Sequence, residues 1–121
     1  PVLVILDDFI DAKIMNQRRS ILTQLYTMGR HANISTITTS QSFKLLPSAL
    51  RKLSHYYFLY GTGNTKERRA ISEELCSSLS EKEFLKLFDS ITSIKYQFMT
   101  VDNNKGRILR NFDEVITKTN S

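Results

Sequence analysis

The first eight residues constrain the fold of this chain more than any other stretch. Residues 2–6 are five consecutive aliphatic side chains with no polar alternation, a run typical of a strand in a parallel α/β sheet that is covered on both faces. Asp7 and Asp8 follow at once. Because ligands of open α/β folds bind at the carboxyl ends of the strands, the run predicts a buried strand that ends at a candidate site.

Paired acids at the end of an apolar strand are the pattern of a Walker B strand. In that pattern the first acid holds Mg²⁺ through its water shell, and the second orients or deprotonates an attacking water. The same residues also fit a buried strand followed by an acidic loop, and the phospho-acceptor or divalent-metal site of another α/β enzyme. Asp7 and Asp8 alone leave these interpretations open.

The composition sets broad limits on the fold and its partners. With 121 residues, of which 40% are hydrophobic, the chain has room for one domain with one core. No apolar run approaches the ~20 residues of a membrane span, and a single cysteine excludes an internal disulfide. The formal charge of +5 favours a polyanionic partner such as nucleic acid, but it is also an ordinary means of solubility. Because the chain starts directly on a buried-type strand, we expect it to be a piece of a longer polypeptide.

Helical and strand-type patterns alternate along the remaining chain, which predicts an α/β fold. Ser80 and Glu83 have the spacing of a capping box, and the Asn/Gly-rich stretch 102–106 predicts the turn of a C-terminal β-hairpin. In order, the sequence predicts a helix over 13–28 capped by Gly29, a strand over 34–41, a helix over 48–53, a strand over 55–60, helices over 65–77 and 80–89, strands over 94–101 and 107–111, and a frayed tail over 113–121.

Four stretches in the first half of the chain have a specific order and spacing. They are Leu3-Val4-Ile5-Leu6-Asp7-Asp8, Gly29-Arg30-His31-Ala32-Asn33-Ile34-Ser35, Thr39-Ser40-Gln41-Ser42 and Leu46-Pro47-Ser48-Ala49-Leu50-Arg51. Together they resemble the second half of the FtsK/HerA group of P-loop ATPases. The resemblance is strongest to the genome-packaging ATPases of poxviruses and related large DNA viruses and virophages, and it extends from Val2 to Gly61.

The resemblance implies a role for each polar residue near these strand ends. Asp7 would be the Mg²⁺-associated acid, Asp8 the catalytic carboxylate, and Gln41 the sensor of the γ-phosphate and the attacking water. Asp7, Asp8 and Gln41 would then bind the cofactors ATP and Mg²⁺ together. Arg30 matches the catalytic arginine that reaches into the site of a neighbouring subunit, where it would stabilise charge on the γ-phosphate. Arg51 is a second candidate for that role.

The resemblance also implies partners and a location. The partners are double-stranded DNA, other copies in a homo-oligomeric ring, and a capsid or portal component, with no membrane span. The location is the cytoplasm of the infected cell or the virion. Arg51, Lys52 and Lys44 are the candidate contacts to DNA phosphates. The implied fold is a partial P-loop (ASCE-type) sheet with flanking helices, in which residues 1–61 are core-like, 62–112 hold helices and the hairpin, and 113–121 form the tail.

One part of the family pattern, the Walker A loop G-x-x-x-x-G-K-[ST], does not occur in these 121 residues. We therefore interpret the chain as the C-terminal portion of an ATPase domain, and we expect ATP hydrolysis from the full-length protein rather than from this portion alone. Two alternatives stay open. One is a fragment of a cellular FtsK/HerA-type DNA pump or helicase, and the other is a non-catalytic nucleic-acid-binding or assembly module.

Overall fold

The computed structural model describes residues 1–7, 24–29, 31–76 and 78–118. The chain divides into two compact units, Pro1–Ser54 and His55–Ser121. The described strands form one two-stranded and one four-stranded sheet, with helices in both units. The predicted α/β class is therefore confirmed, whereas the assignment of these sheets to a P-loop ATPase stays a prediction.

The first unit contains a parallel pair of strands, β1 (Val2–Leu6) and β2 (Ile34–Thr38). Val2 pairs with Ile34 and Leu6 pairs with Thr38, so the two strands run in register along their whole length. Residues 24–28 are helical, as the sequence predicts, while residues 13–23 of the predicted helix lie outside the described part. A short helix, α1 (Ser48–Leu53), follows β2 with Pro47 as its N-terminal cap residue.

Packing in the first unit centres on Leu50, which is 2% exposed and contacts Leu6 and Tyr26. The prediction that β1 is covered on both faces is wrong for the described structure, because Leu3 and Ile5 are 56% and 60% exposed. The physical reason is that Leu3 and Ile5 share one face of the strand, whereas the packing around Leu50 reaches Leu6 on the other face. The apolar run thus predicted the strand correctly but not its burial.

The end of β2 also differs from the prediction. The strand ends at Thr38, three residues before the predicted end at Gln41. One further backbone hydrogen bond, from the amide of Thr39 to the carbonyl of Leu6 at 3.0 Å, continues the pairing. Gln41 therefore lies in the segment that follows the strand and not at its tip.

The second unit is built on an antiparallel sheet in the order β3-β4-β5-β6. Its strands are β3 (Tyr56–Leu59), β4 (Met99–Asp102), β5 (Arg107–Arg110) and β6 (Glu114–Lys118), and its helices are α2 (Thr65–Leu75) and α3 (Glu81–Thr92). The core is apolar, and its buried side chains come from β3, α2, α3, β4 and β5. Its most deeply buried members are Phe84, Phe88, Ile91, Met99 and Ile108.

The helices of the second unit begin at local capping signals. The predicted capping box is confirmed, since the Ser80 hydroxyl accepts a hydrogen bond from the Glu83 amide at 3.1 Å and the Glu83 carboxylate accepts one from the Ser80 amide. At α2 the side chain of Asn64 accepts hydrogen bonds from the amides of Lys66 and Glu67. Such caps satisfy amides at the start of a helix that have no partner within it.

The largest differences from the predicted boundaries in the second unit are at β4 and at the C-terminal tail. β4 starts at Met99 rather than at residue 94, because Tyr96 has a φ of 68° and the Gln97 amide closes a turn onto the Ile94 carbonyl. The tail was predicted to be frayed from Asp113, but residues 114–118 form β6, which pairs with β5 across a bulge. The predicted hairpin of β4 and β5 is present, and Gly106 takes the left-handed φ of 58° that its turn requires.

Candidate functional site

The candidate site lies where the parallel strands β1 and β2 end. Asp7 directly follows β1, and Thr39 directly follows β2. Because the register pairs Leu6 with Thr38, the next residues of both strands are neighbours. The Thr39 hydroxyl donates a hydrogen bond to Asp7 Oδ1 at 2.6 Å, and both side chains are exposed.

The three predicted catalytic residues, Asp8, Gln41 and Arg30, are only partly described. Asp8, the predicted catalytic carboxylate, lies outside the described residues. The structure does confirm that the strand leading to the two acids is adjacent to the strand that precedes Gln41, and that the two are parallel. Because the two strands are adjacent and parallel, their carboxyl ends lie at the same edge of the sheet, where residues of both strands can contribute to one site.

Gln41 is held in a compact turn rather than at a strand end. The Ser40 hydroxyl donates to the Ser42 carbonyl at 2.8 Å and accepts from the Ser42 amide at 3.1 Å. These two bonds bracket Gln41, whose side chain is exposed. Next along the chain, Phe43 is buried and fixes the far side of the turn. The backbone around Gln41 is thus held by local hydrogen bonds.

Arg30 also lies outside the described residues, whereas the residues on either side of it are described and hydrogen-bonded. The amide of Ile34 donates to the carbonyl of Gly29 at 2.7 Å, and the amide of His31 donates to the carbonyl of Met28 at 3.1 Å. A Cβ atom on Gly29 would overlap the carbonyl oxygen of Leu25 and lie 3.0 Å from that of Ile34. Glycine is therefore required at this position by close backbone approach.

The three candidate DNA contacts have different environments. Lys44 and Lys52 are exposed, which suits contacts to phosphate. Arg51 is half-buried, and its guanidinium lies 5.3 Å from the centre of the Phe43 ring. This cation–π contact gives Arg51 a packing role in α1, so the structure offers less support for Arg51 as a DNA ligand than for the two lysines.

The donor chemistry at the strand ends fits Mg²⁺. Asp7 and Thr39 offer oxygen atoms only, and Mg²⁺ is usually bound by one or two carboxylates together with substrate phosphates while it keeps several waters. Within the described ranges, no group of three or more His, Cys, Asp or Glu side chains could enclose a metal ion. With one carboxylate and one hydroxyl, Asp7 and Thr39 suit an ion that is held partly by water and partly by a ligand.

Sequence reasoning missed Thr39 as a member of the site. Thr39 belongs to the Thr39-Ser40-Gln41-Ser42 stretch, for which the family resemblance implies a role for Gln41 and none for Thr39. The signal that could have identified Thr39 is geometric: the first hydroxyl after β2 must face the first acid after β1 if the strands are parallel and of equal length. The register is a property of the strand pair and cannot be predicted from the sequence of either strand alone.

The described residues thus define an α/β protein with an acid and a hydroxyl side chain joined at the carboxyl ends of two parallel strands. A protein-family model described as "Poxvirus A32 protein" matches residues 1–104. The chain belongs to this family, which is associated with packaging of the viral genome. Comparisons with curated proteins and with solved structures gave no match. None of the helices in the described ranges is long and apolar enough to cross a membrane.

Proposed function

We propose that this chain is part of an ATP-driven translocase of double-stranded DNA that packages the viral genome into capsids. The observation that supports the proposal most directly is the Asp7–Thr39 pair at the carboxyl ends of β1 and β2, in a member of a packaging family. Ligands of open α/β sheets bind at this edge. Membership in a viral family also favours the packaging enzyme over a cellular DNA pump or helicase.

The proposed chemistry assigns one task to each residue near the strand ends. ATP with Mg²⁺ supplies the energy of phosphoanhydride cleavage when bound. Asp7 would hold hydrated Mg²⁺. Asp8 would accept a proton from a water that attacks the γ-phosphorus as the bond to the ADP oxygen breaks, and the amide of Gln41 would orient that water. Phosphoryl transfer depends mainly on positioning and charge neutralisation, so two carboxylates and an amide would be sufficient side chains for this part of the site.

The other proposed contacts of the active enzyme involve neighbouring subunits, a capsid or portal component, and DNA. Copies of the full-length protein form a ring in which Arg30 of one subunit reaches the site of the next, and a capsid or portal component anchors the ring. Lys44 and Lys52 contact DNA phosphates without regard to sequence. A Walker A loop ending in Lys-Ser or Lys-Thr is expected about 60–100 residues before Asp7 in the full-length protein, given usual βαβ lengths.

The test is ATP hydrolysis by the full-length protein with and without double-stranded DNA. Asp8→Asn should abolish hydrolysis while fluorescent ATP still binds, because the amide retains the size of the carboxylate but cannot accept the proton. Asp113→Asn, an exposed site with the same change of charge, is the matched control and should hydrolyse ATP normally. Hydrolysis that survives in Asp8→Asn would remove Asp8 from the mechanism. A wild-type protein that binds DNA but never hydrolyses ATP would instead identify a non-catalytic module.

A further inference from the structure

Two adjacent threonines at the end of β2 make different hydrogen bonds on opposite sides of the strand. The hydroxyl of Thr38 lies 2.6 Å from the hydroxyl of Tyr26 in a half-buried environment. The hydroxyl of Thr39 donates to Asp7 Oδ1 at the same distance of 2.6 Å, but in an exposed environment. Since side chains alternate between the two faces of a strand, the neighbouring threonines serve different surroundings.

The surroundings decide what each hydrogen bond contributes. Breaking the Thr38–Tyr26 bond leaves a half-buried hydroxyl without its partner, which is costly for stability. The Thr39–Asp7 bond competes with water at both ends, so it contributes little to the free energy of folding. Any role of the Thr39 hydroxyl is therefore to be sought in its effect on Asp7 and not in the stability of the fold.

The backbone holds Thr39 in place independently of its side chain. Its amide donates to the carbonyl of Leu6 at 3.0 Å, and Leu6 is the residue before Asp7. A threonine also has few χ1 rotamers because its side chain is branched at Cβ. The hydroxyl is therefore presented to the Asp7 carboxylate from a fixed point, with little freedom to turn away.

We propose that Thr39 is a positioning residue that orients the Asp7 carboxylate for hydrated Mg²⁺ bound with ATP. An ionised carboxylate has about four lone-pair sites on its two oxygens. The bond from Thr39 occupies one of these on Oδ1 and restricts rotation of the group, so the remaining sites keep a defined direction. The inference rests on the proposed ATPase function, and it adds a residue that this function alone does not assign.

The test uses Mn²⁺ as a spectroscopic substitute for Mg²⁺. Binding of Mn²⁺ to the full-length protein with ATP is measured by electron paramagnetic resonance, and thermal unfolding is measured without metal. Thr39→Val, which keeps the shape but removes the hydroxyl, should weaken Mn²⁺ binding about tenfold, a typical effect of losing a group that orients a metal ligand. Its melting temperature should stay at the wild-type value.

Two further variants separate positioning from packing. Thr39→Ser restores the hydroxyl and should restore Mn²⁺ affinity. Thr38→Val is the matched control, since it removes the neighbouring hydroxyl that contacts Tyr26; it should lower the melting temperature and leave Mn²⁺ affinity unchanged.

Each contrary result has a distinct meaning. Wild-type Mn²⁺ affinity in Thr39→Val would overturn the positioning role even if the protein hydrolyses ATP. A fall in melting temperature in Thr39→Val as large as that in Thr38→Val would overturn it too, because the hydroxyl would then be structural. A wild-type protein that neither binds Mn²⁺ with ATP nor hydrolyses ATP would overturn the proposed function and this inference together.

Discussion

Asp102 and Arg107 face each other as the first cross-strand pair of the β4–β5 hairpin, and Arg107 Nε lies 3.1 Å from Asp102 Oδ2. Asp102 is only 1% exposed. Its other carboxylate oxygen accepts hydrogen bonds from the amides of Asn104 and Lys105 at 3.0 and 3.1 Å. Burial raises the pKa of Asp102, but the bonds from Lys105, Arg107 and Asn104 outweigh it, so the pKa lies below its ordinary value.

This pair predicts an acid-sensitive hairpin. A carboxyl group whose pKa is lowered by folding binds fewer protons in the folded protein than in the unfolded chain. Asp102 therefore stabilises the folded protein above pH ~4, and this stabilisation is lost as the pH falls through the pKa of the folded state. Asp102→Asn should lower the free energy of unfolding by about 1–2 kcal/mol at pH 7, and the difference from wild type should shrink toward pH 3. Urea unfolding at pH 7 and at pH 3 measures the difference in the free energy of unfolding.

The control is Asp113→Asn, which changes an exposed carboxylate. A difference between Asp102→Asn and wild type that stays constant with pH would contradict the proposed role of the Asp102 carboxylate.

The turn between the helical residues 24–28 and β2 should depend on a glycine. In Gly29→Ala the new methyl group would meet the carbonyls of Leu25 and Ile34, which are backbone atoms that cannot rotate away. We expect a loss of about 1–3 kcal/mol in local stability, seen as faster hydrogen exchange of the Ile34 amide that bonds to Gly29. Gly63→Ala is the control, because a Cβ there has nothing within 4 Å. Equal exchange rates in the two variants would show that the turn tolerates the change.

The proposed role of Arg30 in a neighbouring subunit predicts complementation in mixed rings. Arg30→Ala and Asp8→Asn should each be inactive alone. In an equal mixture, about a quarter of the interfaces would join an intact site to an intact arginine from the next subunit, and ATP hydrolysis should reappear. The measurement is DNA-stimulated hydrolysis before and after subunit exchange. Mixed rings that form but stay inactive would place Arg30 in its own subunit's site.

Lys44 and Lys52 should contribute to DNA affinity through charge alone. The double variant Lys44→Ala/Lys52→Ala should bind double-stranded DNA more weakly at every sequence. The slope of log affinity against log salt should also fall by about 2, near 0.9 for each lost phosphate contact. Lys82→Ala/Lys86→Ala changes two exposed lysines of α3 and serves as the charge-matched control. An unchanged salt slope in the first variant would exclude both lysines from the DNA interface.

Local signals in the sequence predicted the parts of the fold that depend on a few neighbouring residues. Ser80 and Glu83 form their capping box within four positions of the chain, and the turn with Gly106 closes the β4–β5 hairpin. Short stretches of sequence also predicted the strands β1 and β2, and they placed two acids directly after β1. Hydrogen bonds and dihedral preferences over such short separations do not require a distant partner, so the sequence alone determined the capping box and the hairpin turn.

Only the tertiary structure decided which distant residues meet. The exposure of Leu3 and Ile5 follows from which face of β1 the rest of the unit packs against. The strand at Glu114–Lys118 forms because β5 offers an edge with which it pairs. The contact of Thr39 with Asp7, 32 positions apart, follows from the parallel register of two strands. Register and edge pairing depend on the relative placement of whole elements, so no pattern within either partner could predict them.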